Sequence, residues 1–147
     1  MTFADELDNL SRIPLFALFD AASLNALAFR SETRVLRTGD TLFRRDDVCD
    51  GGFILTAGAI ELYTHEDSAP SLVARPWTLI GEMALMVEST RPVTAIAAEP
   101  STVLKISRMQ FLDLLARHPE TAIRVQALLC DRLREVAEAM SAYAEAV

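Results

Sequence analysis

Two short pieces of the chain combine residue types that could bind a phosphorylated ligand. Residues 81–85 are Gly-Glu-Met-Ala-Leu, and residues 91–95, after a polar loop, are Arg-Pro-Val-Thr-Ala. The glycine allows a tight backbone turn and the residues after it are good helix formers, so we predict a single helical turn. The first amides of such a turn lack partners within the helix and lie at its positive end, which makes a small anion site.

Two charged side chains in these pieces would divide the recognition of such a ligand. Arg91 can offer a two-pronged, charge-assisted donor to the anion. Glu82 would repel the same anion, but its carboxylate can accept hydrogen bonds from hydroxyl groups of the ligand. The sequence therefore predicts a phosphate site beside an acceptor for sugar hydroxyls.

Together, the two pieces resemble the phosphate-binding cassette of the cyclic nucleotide-binding domain family, which includes the catabolite activator protein, the regulatory subunits of protein kinase A and cyclic-nucleotide-gated channels. The family signature is Gly-Glu-x-Ala/Gly-Leu, a variable loop, and Arg-x-Ala-Thr/Ser. The resemblance covers about residues 13–130 and includes further landmarks in the family's order: Gly39, Asp40, Phe43, Asp50, residues 53–55 and Gly58. Asp46 stands where many members have glycine. Because Asp tolerates the left-handed conformation, we expect a small local cost there.

This resemblance implies a role for each residue of the cassette. Arg91 would hold the cyclic phosphate with help from the amides of Met83 and Ala84, and Glu82 would hold the ribose 2′-hydroxyl. The predicted ligand is a cyclic mononucleotide, and no cofactor or metal is expected. The predicted ligand-binding residues are Gly81, Glu82, Met83, Ala84, Arg91, Pro92 and Val93.

Pro92 and Val93 depart from the family pattern. Members usually have Ala, Ser or Thr after the arginine, and the amide of that residue donates to the phosphate, whereas proline has no amide hydrogen. Losing a charge-assisted hydrogen bond costs about 1.5–3 kcal/mol, or about ten- to hundredfold in affinity. The absence of a threonine hydroxyl at position 92 favours cyclic AMP over cyclic GMP. Val93, where alanine is usual, adds bulk near the predicted pocket.

Composition and charge limit the partners. At 147 residues the chain suits one domain, and its net charge of −7 argues against general affinity for nucleic acid or anionic membranes. The N-terminus lacks the basic and apolar regions of a secretory signal, and no apolar run approaches the ~20 residues that cross a bilayer. We therefore expect a cytoplasmic protein whose two cysteines, Cys49 and Cys130, are reduced thiols.

The pattern of short strands joined by turns suggests a β-sandwich or a jelly roll. With the resemblance, we expect a mainly β fold with flanking helices, a β jelly roll (double-stranded β-helix) with N-terminal helices and a long C-terminal helix. We expect one domain, 1–147, with helices at 1–30, a β-roll at 31–106 containing the cassette at 81–95, and C-terminal helices at 107–147. Residues 44–52 and 88–90 are expected to be polar loops. About eight strands are expected, at 34–37, 41–43, 53–55, 59–63, 71–74, 78–80, 94–98 and 103–106.

Capping patterns mark where the helices begin. Asp20 can cap one helix, Ser107 and Gln110 fit a capping box, and Pro119 suits the first position of a last helix that reaches about residue 146. Polar residues on this helix, Gln126, Cys130 and Asp131, are candidates to face the ligand.

Apolar residues also recur along this last helix at spacings of four, four, three, four and three: Val125, Leu129, Leu133, Val136, Met140 and Tyr143. The first turns are expected to pack on the β-roll. For the distal turns, packing on the roll and a helix-to-helix homodimer seam both stay open.

The residue types argue against an enzyme. Jelly-roll enzymes of the cupin type need a cluster of His and carboxylate metal ligands, but His65 and His118 lie far apart and are both expected to be exposed. Neither a Ser-His-Asp order nor a Walker-type loop is present. Trp77 is expected to contribute to packing.

These observations predict a stand-alone sensory and regulatory module that binds a cyclic mononucleotide, cyclic AMP rather than cyclic GMP, without an output domain of its own. It would act on a separate, unidentified protein partner through its last helix. One alternative is a degenerate domain kept as a dimerisation or scaffold module with no nucleotide bound. Another is a transcription regulator that has lost its DNA-binding half.

Overall fold

Short antiparallel strands form the middle of the chain, with helices before and after them. The computed structural model describes residues 3–65 and 68–146. Its helices are α1 (Phe3–Ser11), α2 (Ala21–Arg30), α3 (Arg108–Arg117) and α4 (Pro119–Ala146), with 3₁₀ turns at Phe16–Leu18 and Glu82–Leu85. Its strands are β1 (Glu32–Leu36), β2 (Thr41–Phe43), β3 (Val48–Cys49), β4 (Gly51–Ala57), β5 (Ile60–Tyr63), β6 (Leu72–Ala74), β7 (Thr78–Ile80), β8 (Ser89–Thr90), β9 (Thr94–Ala97) and β10 (Ser101–Ser107).

The strands are arranged in two four-stranded antiparallel sheets and one two-stranded ribbon. One sheet has the order β1-β10-β4-β7, the other has the order β2-β9-β5-β6, and the ribbon pairs β3 with β8. Because neighbouring strands are mostly not consecutive in the sequence, the chain crosses repeatedly between the sheets, as in a jelly roll. The predicted fold class, including the N-terminal helices and the long C-terminal helix, is confirmed.

Side-chain alternation along β4 and β10 separates two apolar clusters. Successive side chains of a strand point to opposite faces, so Ile54 of β4 packs with the helices while Phe53 and Leu55 face the interior of the roll. The helical cluster consists of Leu10, Ile13, Leu15, Phe16, Phe19, Leu24, Leu27, Ile54, Leu85, Ile106, Phe111, Leu114 and Val125. The roll cluster consists of Leu42, Phe43, Phe53, Leu55, Ile60, Ala74, Ile80, Ala95, Ala97 and Val103.

The start of β4 differs from the sequence prediction. Gly51 and Gly52 were expected in a polar loop, which was wrong, because both are buried and belong to the strand. A Cβ at Gly51 would collide with the carbonyl oxygen of Ile106, so glycine allows β4 and β10 to approach closely there. On its other side β4 pairs with β7, with Phe53 opposite Ile80, and this pairing places the following residue, Gly81, near the first residues of β4.

The β3–β8 ribbon was also missed, since both segments were expected to be polar loops. Val48 pairs with Thr90 and Cys49 with Ser89, so the ribbon depends on backbone pairing rather than on an apolar pattern. The pairing continues beyond the ribbon, because the Arg91 amide donates to the Asp47 carbonyl at 2.9 Å and the Asp46 amide donates to the Arg91 carbonyl at 2.8 Å. Asp46 has φ 72°, the left-handed conformation expected for it.

The helix caps agree with the sequence. Asp20 accepts a hydrogen bond from the Ser23 amide at 2.7 Å, Ser107 and Gln110 form a reciprocal capping box, and Pro119 is the first residue of α4. His118 is half-buried, with Nε2 3.4 Å from the Ser23 hydroxyl, so the prediction that it is exposed was wrong, whereas His65 is exposed.

Trp77 and the cysteines follow their predictions. Trp77 is half-buried against the helical cluster, and its amide donates to the Leu55 carbonyl at 2.6 Å. Its positive φ of 67° was not foreseen. Cys49 is buried, Cys130 is exposed, and both are free thiols. Glu66 and Asp67, which belong to a predicted turn, lie outside the described residues.

Candidate functional site

Gly81 begins the cassette in a conformation that favours glycine. Its φ is 80° and its ψ is 41°, and it is the N-cap of the 3₁₀ turn Glu82–Leu85, so the predicted helical turn is present. Ala84 and Leu85 are buried and anchor the turn, whereas Met83 is 60% exposed. The Ala84 amide, one of the two expected phosphate donors, donates to the Gly81 carbonyl at 3.2 Å.

Arg91 lies inside the roll. Its side chain is only 4% exposed, and its guanidinium carbon lies 4.3 Å from the centre of the Phe43 ring and 5.4 Å from that of Phe53. One terminal nitrogen, Nη2, donates to the Gly51 carbonyl at 2.7 Å. The other, Nη1, packs against Gly81, where a Cβ would collide with it. The structure thus brings Arg91 and the cassette turn together, as the sequence predicted.

The Nη1 group of Arg91 is buried and has no hydrogen-bond partner. A buried donor without a partner costs about 1–3 kcal/mol, and more when the group is charged. Burial lowers the pKa of the Arg91 guanidinium, while Cys49 and the carboxylates of Asp50 and Asp47 favour its charged form. Arginine remains protonated even so. The roll therefore holds a desolvated cation with an unused donor next to the cassette turn, and such a group gains most from an incoming anion.

The next two residues occupy different environments. Pro92 is exposed, and Val93 is half-buried against the roll cluster. Pro92 offers no amide hydrogen. Val93 packs against the roll cluster, which gives its extra bulk a structural role.

Glu82 has a partner that the sequence analysis missed. Its Oε1 forms an ion pair with Nη1 of Arg132 on α4, and the two side chains are 27% and 38% exposed. The polar residues of α4 that were candidates to face the ligand, Gln126, Cys130 and Asp131, are all exposed. Helical spacing could have indicated that Arg132 faces the roll, because it lies seven residues after the buried Val125 and so on the same face of the helix.

Arg108 was also missed. Its Nε donates to the Ala84 carbonyl at 3.0 Å, and its Nη2 donates to the Cys49 carbonyl at 2.6 Å. Its amide donates to the Asp50 carbonyl at 2.6 Å. Arg108 is the first residue of α3, so it joins that helix to the cassette turn and to the segment between β3 and β4. The capping box located the helix start in the sequence, but nothing there indicated which carbonyls the arginine would reach.

A model of the cyclic nucleotide-binding domain matches residues 33–118. The chain belongs to this family. The cyclic nucleotide-binding domain family was the one indicated by the cassette, and its match includes the strands of the roll from β1 onward, the cassette and α3.

Individual relatives agree with this assignment. The chain is 32% identical over 107 residues to the cyclic AMP receptor protein of Thermus thermophilus, which is 71% of this chain and 50% of that protein. The N-terminal domain of a transcriptional regulator from Streptomyces coelicolor A3(2) has a similar structure, with 30% identity, a TM-score of 0.82, and coverage of 90% of this chain and 94% of that one.

A third similarity involves an enzyme. A lysophospholipase of Aspergillus fumigatus is 26% identical over 113 residues, which is 75% of this chain but only 7% of that protein. The chain thus spans half of the cyclic AMP receptor protein and a small part of the lysophospholipase. Within this family the matched region is a nucleotide-binding domain, not a catalytic one.

Among residues 3–65 and 68–146, no helix has the length and hydrophobicity that a membrane span requires. The same residues contain no group of three or more His, Cys, Asp or Glu side chains that could hold a metal ion. A cytoplasmic location and the absence of a cofactor stay predictions.

Proposed function

We propose that this chain is a sensory module that binds a cyclic mononucleotide, with cyclic AMP preferred, and passes the signal on through helix α4. The observation that carries the proposal is the buried Arg91 guanidinium, whose Nη1 has no partner and packs against Gly81 at the start of the cassette turn. A cyclic phosphate at this turn would supply the missing acceptor. Glu82, on the same turn, would accept the ribose 2′-hydroxyl.

The charge balance of the site supports a monoanionic phosphate. Arg91 is stacked on two aromatic rings and has one neutral acceptor, the Gly51 carbonyl, so no carboxylate neutralises it directly. An anion in contact with this cation would gain from the low local dielectric and relieve the unpaired donor. The overall charge of −7 makes such a local positive site more important for capturing an anion.

Cyclic AMP is the preferred ligand in this proposal for two reasons. The relative from Thermus thermophilus is named for cyclic AMP. Position 92 also lacks the threonine hydroxyl that would favour the guanine base. Because Pro92 removes one amide donor, we expect affinity about ten- to hundredfold below that of a chain with an amide hydrogen at this position.

Calorimetric titration with cyclic AMP, cyclic GMP and linear 5′-AMP tests the proposal. Cyclic AMP should bind best, and Arg91→Ala should abolish the heat of binding. Arg45→Ala is the matched control, because Arg45 is an exposed arginine whose Nη1 donates to the Thr64 carbonyl. If neither cyclic nucleotide gave heat at high micromolar concentration, the sensing proposal would be wrong.

The second proposed function is self-association through the distal half of α4. From residue 133 to residue 145 the helix is exposed, and its large apolar side chains there are Leu133 (69% exposed), Val136 (56%), Met140 (67%) and Tyr143 (75%). With Leu129 they follow a spacing of four, three, four and three, the alternation of a coiled-coil seam. Such a seam is complementary to another copy of itself, so we propose a second copy of this chain as the occupant.

Sedimentation velocity tests the homodimer. Met140→Glu places a charge in the middle of the seam and should shift the protein to the monomer. Ala142→Glu adds the same charge to an exposed position about 160° away around the helix from Met140 and should leave the dimer intact. A wild-type protein that sediments as a monomer at all concentrations would rule out the seam.

A further inference from the structure

Strand β1 is the longest strand at the edge of a sheet. It has five residues, Glu32–Leu36, whereas the other edge strands of the two four-stranded sheets, β2, β6 and β7, have three residues each. Among the described strands, β1 pairs with β10 alone. Short edge strands are one way in which proteins prevent sheets from joining, and β1 lacks this protection.

The outer side of β1 has free backbone groups. No amide or carbonyl group of residues 32–36 is hydrogen-bonded to a described residue outside β10. In an antiparallel pair only alternate residues bond to the neighbouring strand, so the other residues of β1 direct their amides and carbonyls away from β10. The strand is also accessible, because Thr33 is exposed and Val35 is 75% exposed. This edge can therefore accept another strand.

Two charged side chains of β1 restrict which strand can be added. Glu32 and Arg34 lie on the same face of the strand, with Nε of Arg34 3.3 Å from Oε1 of Glu32. Their side chains are 63% and 38% exposed, so both remain open to an added strand. The Arg34 guanidinium also lies 5.6 Å from the centre of the Phe53 ring, which limits its freedom. A complementary strand needs a cation opposite Glu32 and an anion opposite Arg34.

A second copy of β1 meets this requirement in one register. Two identical antiparallel strands related by a two-fold axis are centred on one residue. A centre at Glu32 or at Arg34 places like charges directly opposite each other, which is destabilising. A centre at Thr33 places Glu32 of each copy opposite Arg34 of the other, and the two Thr33 side chains lie opposite each other on the other face. Centres further along the strand pair neither charge with its opposite.

We propose that β1 is a self-association surface, on which a second copy of this chain adds its own β1 in antiparallel orientation, centred on Thr33. Only about five residues of each copy take part, so the contact is weaker than a standard interface of about 1,200–2,000 Å². It is separate from the α4 seam and independent of nucleotide binding. A protein that used both surfaces would form tetramers or longer assemblies.

Disulfide trapping tests the register. All variants carry Cys130→Ser, which removes the exposed native thiol, and Met140→Glu, which disrupts the α4 seam. Thr33→Cys places two thiols opposite each other, with Cα atoms about 4.5–5.5 Å apart, so mild oxidation should link the two copies. Val35→Cys is the matched control, because in this register the two positions lie about 13 Å apart, too far for a disulfide. Thr33→Cys should link about tenfold faster or more.

A charge exchange tests the role of the two charged residues. In the Thr33→Cys protein, Glu32→Arg places guanidinium groups opposite each other and should slow cross-linking by about fivefold or more. Arg34→Glu should slow it in the same way, because carboxylates then face each other. The double variant with both substitutions exchanges the charges but keeps each opposite pair, so it should recover most of the rate. Far-UV circular dichroism of each variant checks that the roll is folded.

Three outcomes would overturn the inference. If Val35→Cys linked as fast as Thr33→Cys, the disulfides would come from random collisions or from another register. If the double charge variant stayed as slow as the single ones, the charges would not select the partner strand. If neither thiol linked two copies, β1 would not take a second copy, and the remaining occupant would be a strand of another protein. Calorimetry measures nucleotide binding separately, so none of these results decides the sensing proposal.

Discussion

The helical cluster and the roll cluster use the same kinds of side chain, but only the roll cluster encloses a charge. In the helical cluster, Phe19 packs against Phe16 and Phe111 with ring centres 6.1 and 5.8 Å apart. In the roll cluster, Phe43 and Phe53 stack 6.0 Å apart and also support the Arg91 guanidinium. Aromatic surface thus serves packing in one cluster and carries a cation in the other.

This difference suggests that the helical cluster serves stability, whereas the roll cluster also serves the proposed function. The helical cluster holds α1, α2, α3 and the first half of α4 on the roll, and its members are all apolar. The roll cluster contains a buried hydrogen-bond donor without a partner, Nη1 of Arg91, and this lowers the stability of the fold. Among the described residues, Arg91 is the only charged side chain that is almost completely buried. Such a group calls for a functional explanation, and the proposed anionic ligand provides one.

The largest expected effect comes from the helical cluster. Phe111 is fully buried and contacts Phe19, so Phe111→Ala should lower the free energy of unfolding by about 3–5 kcal/mol. Urea unfolding followed by circular dichroism measures this loss. Leu112→Ala, at an exposed position on the same helix, should cost far less. Equal costs for the two variants would contradict the assignment of Phe111 to the core.

The roll cluster should respond in the opposite way. Arg91→Met keeps a long unbranched side chain between the two rings but removes the unpartnered donor, so stability should stay within about 1 kcal/mol of the wild type. Cyclic nucleotide binding should fall by more than about a hundredfold, because the charge-assisted phosphate contact is lost. Urea unfolding and calorimetry on the same preparation check both. If Arg91→Met lost much stability but still bound the nucleotide, Arg91 would serve stability rather than binding, and the contrast between the two clusters would be wrong.

The sequence predicted those parts of the molecule that depend on local patterns. The tight turn at Gly81, the Ser107–Gln110 capping box and Pro119 at the first position of α4 each follow from a few neighbouring residues. The jelly roll followed from strand spacing and from the order of family landmarks. The interior position of Arg91 could be expected only through the resemblance, since an isolated arginine after a polar loop is usually on the surface.

The parts that were missed depend on contacts between distant segments. The β3–β8 ribbon has no apolar pattern, and it forms because the segments around Asp47 and Arg91 exchange backbone hydrogen bonds. Arg108 reaches carbonyls 24 and 59 residues away, and Arg132 reaches Glu82 across 50 residues. Charge and position on the helix allow Arg132 to pair with Glu82, but they do not identify Arg132 as the partner. Exposed arginines of the same helix, such as Arg124 and Arg134, carry the same charge.

A substitution that increases the affinity for cyclic AMP would support a role of the roll cluster in ligand binding. Pro92→Ala restores an amide hydrogen at position 92 and should tighten cyclic AMP binding by about 1.5–3 kcal/mol, or about ten- to hundredfold. Calorimetry measures the change. Pro100→Ala, at another exposed proline, is the control and should leave affinity unchanged. If Pro92→Ala bound no better than the wild type, the amide at position 92 would not face the phosphate.

The smallest expected effect distinguishes backbone strain from contact with Arg91. Gly81 and Gly39 both have positive φ, 80° and 88°, so alanine at either position should cost about 1–2 kcal/mol of stability. The two sites differ in their surroundings, because a Cβ at Gly81 would collide with Nη1 of Arg91, whereas a Cβ at Gly39 would meet no heavy atom within 4 Å. Gly81→Ala should therefore displace the guanidinium and weaken cyclic nucleotide binding, while Gly39→Ala should lose stability alone. Should both variants lose binding equally, the effect would come from loosening of the roll, and the close packing of Arg91 under Gly81 would have no part in recognition.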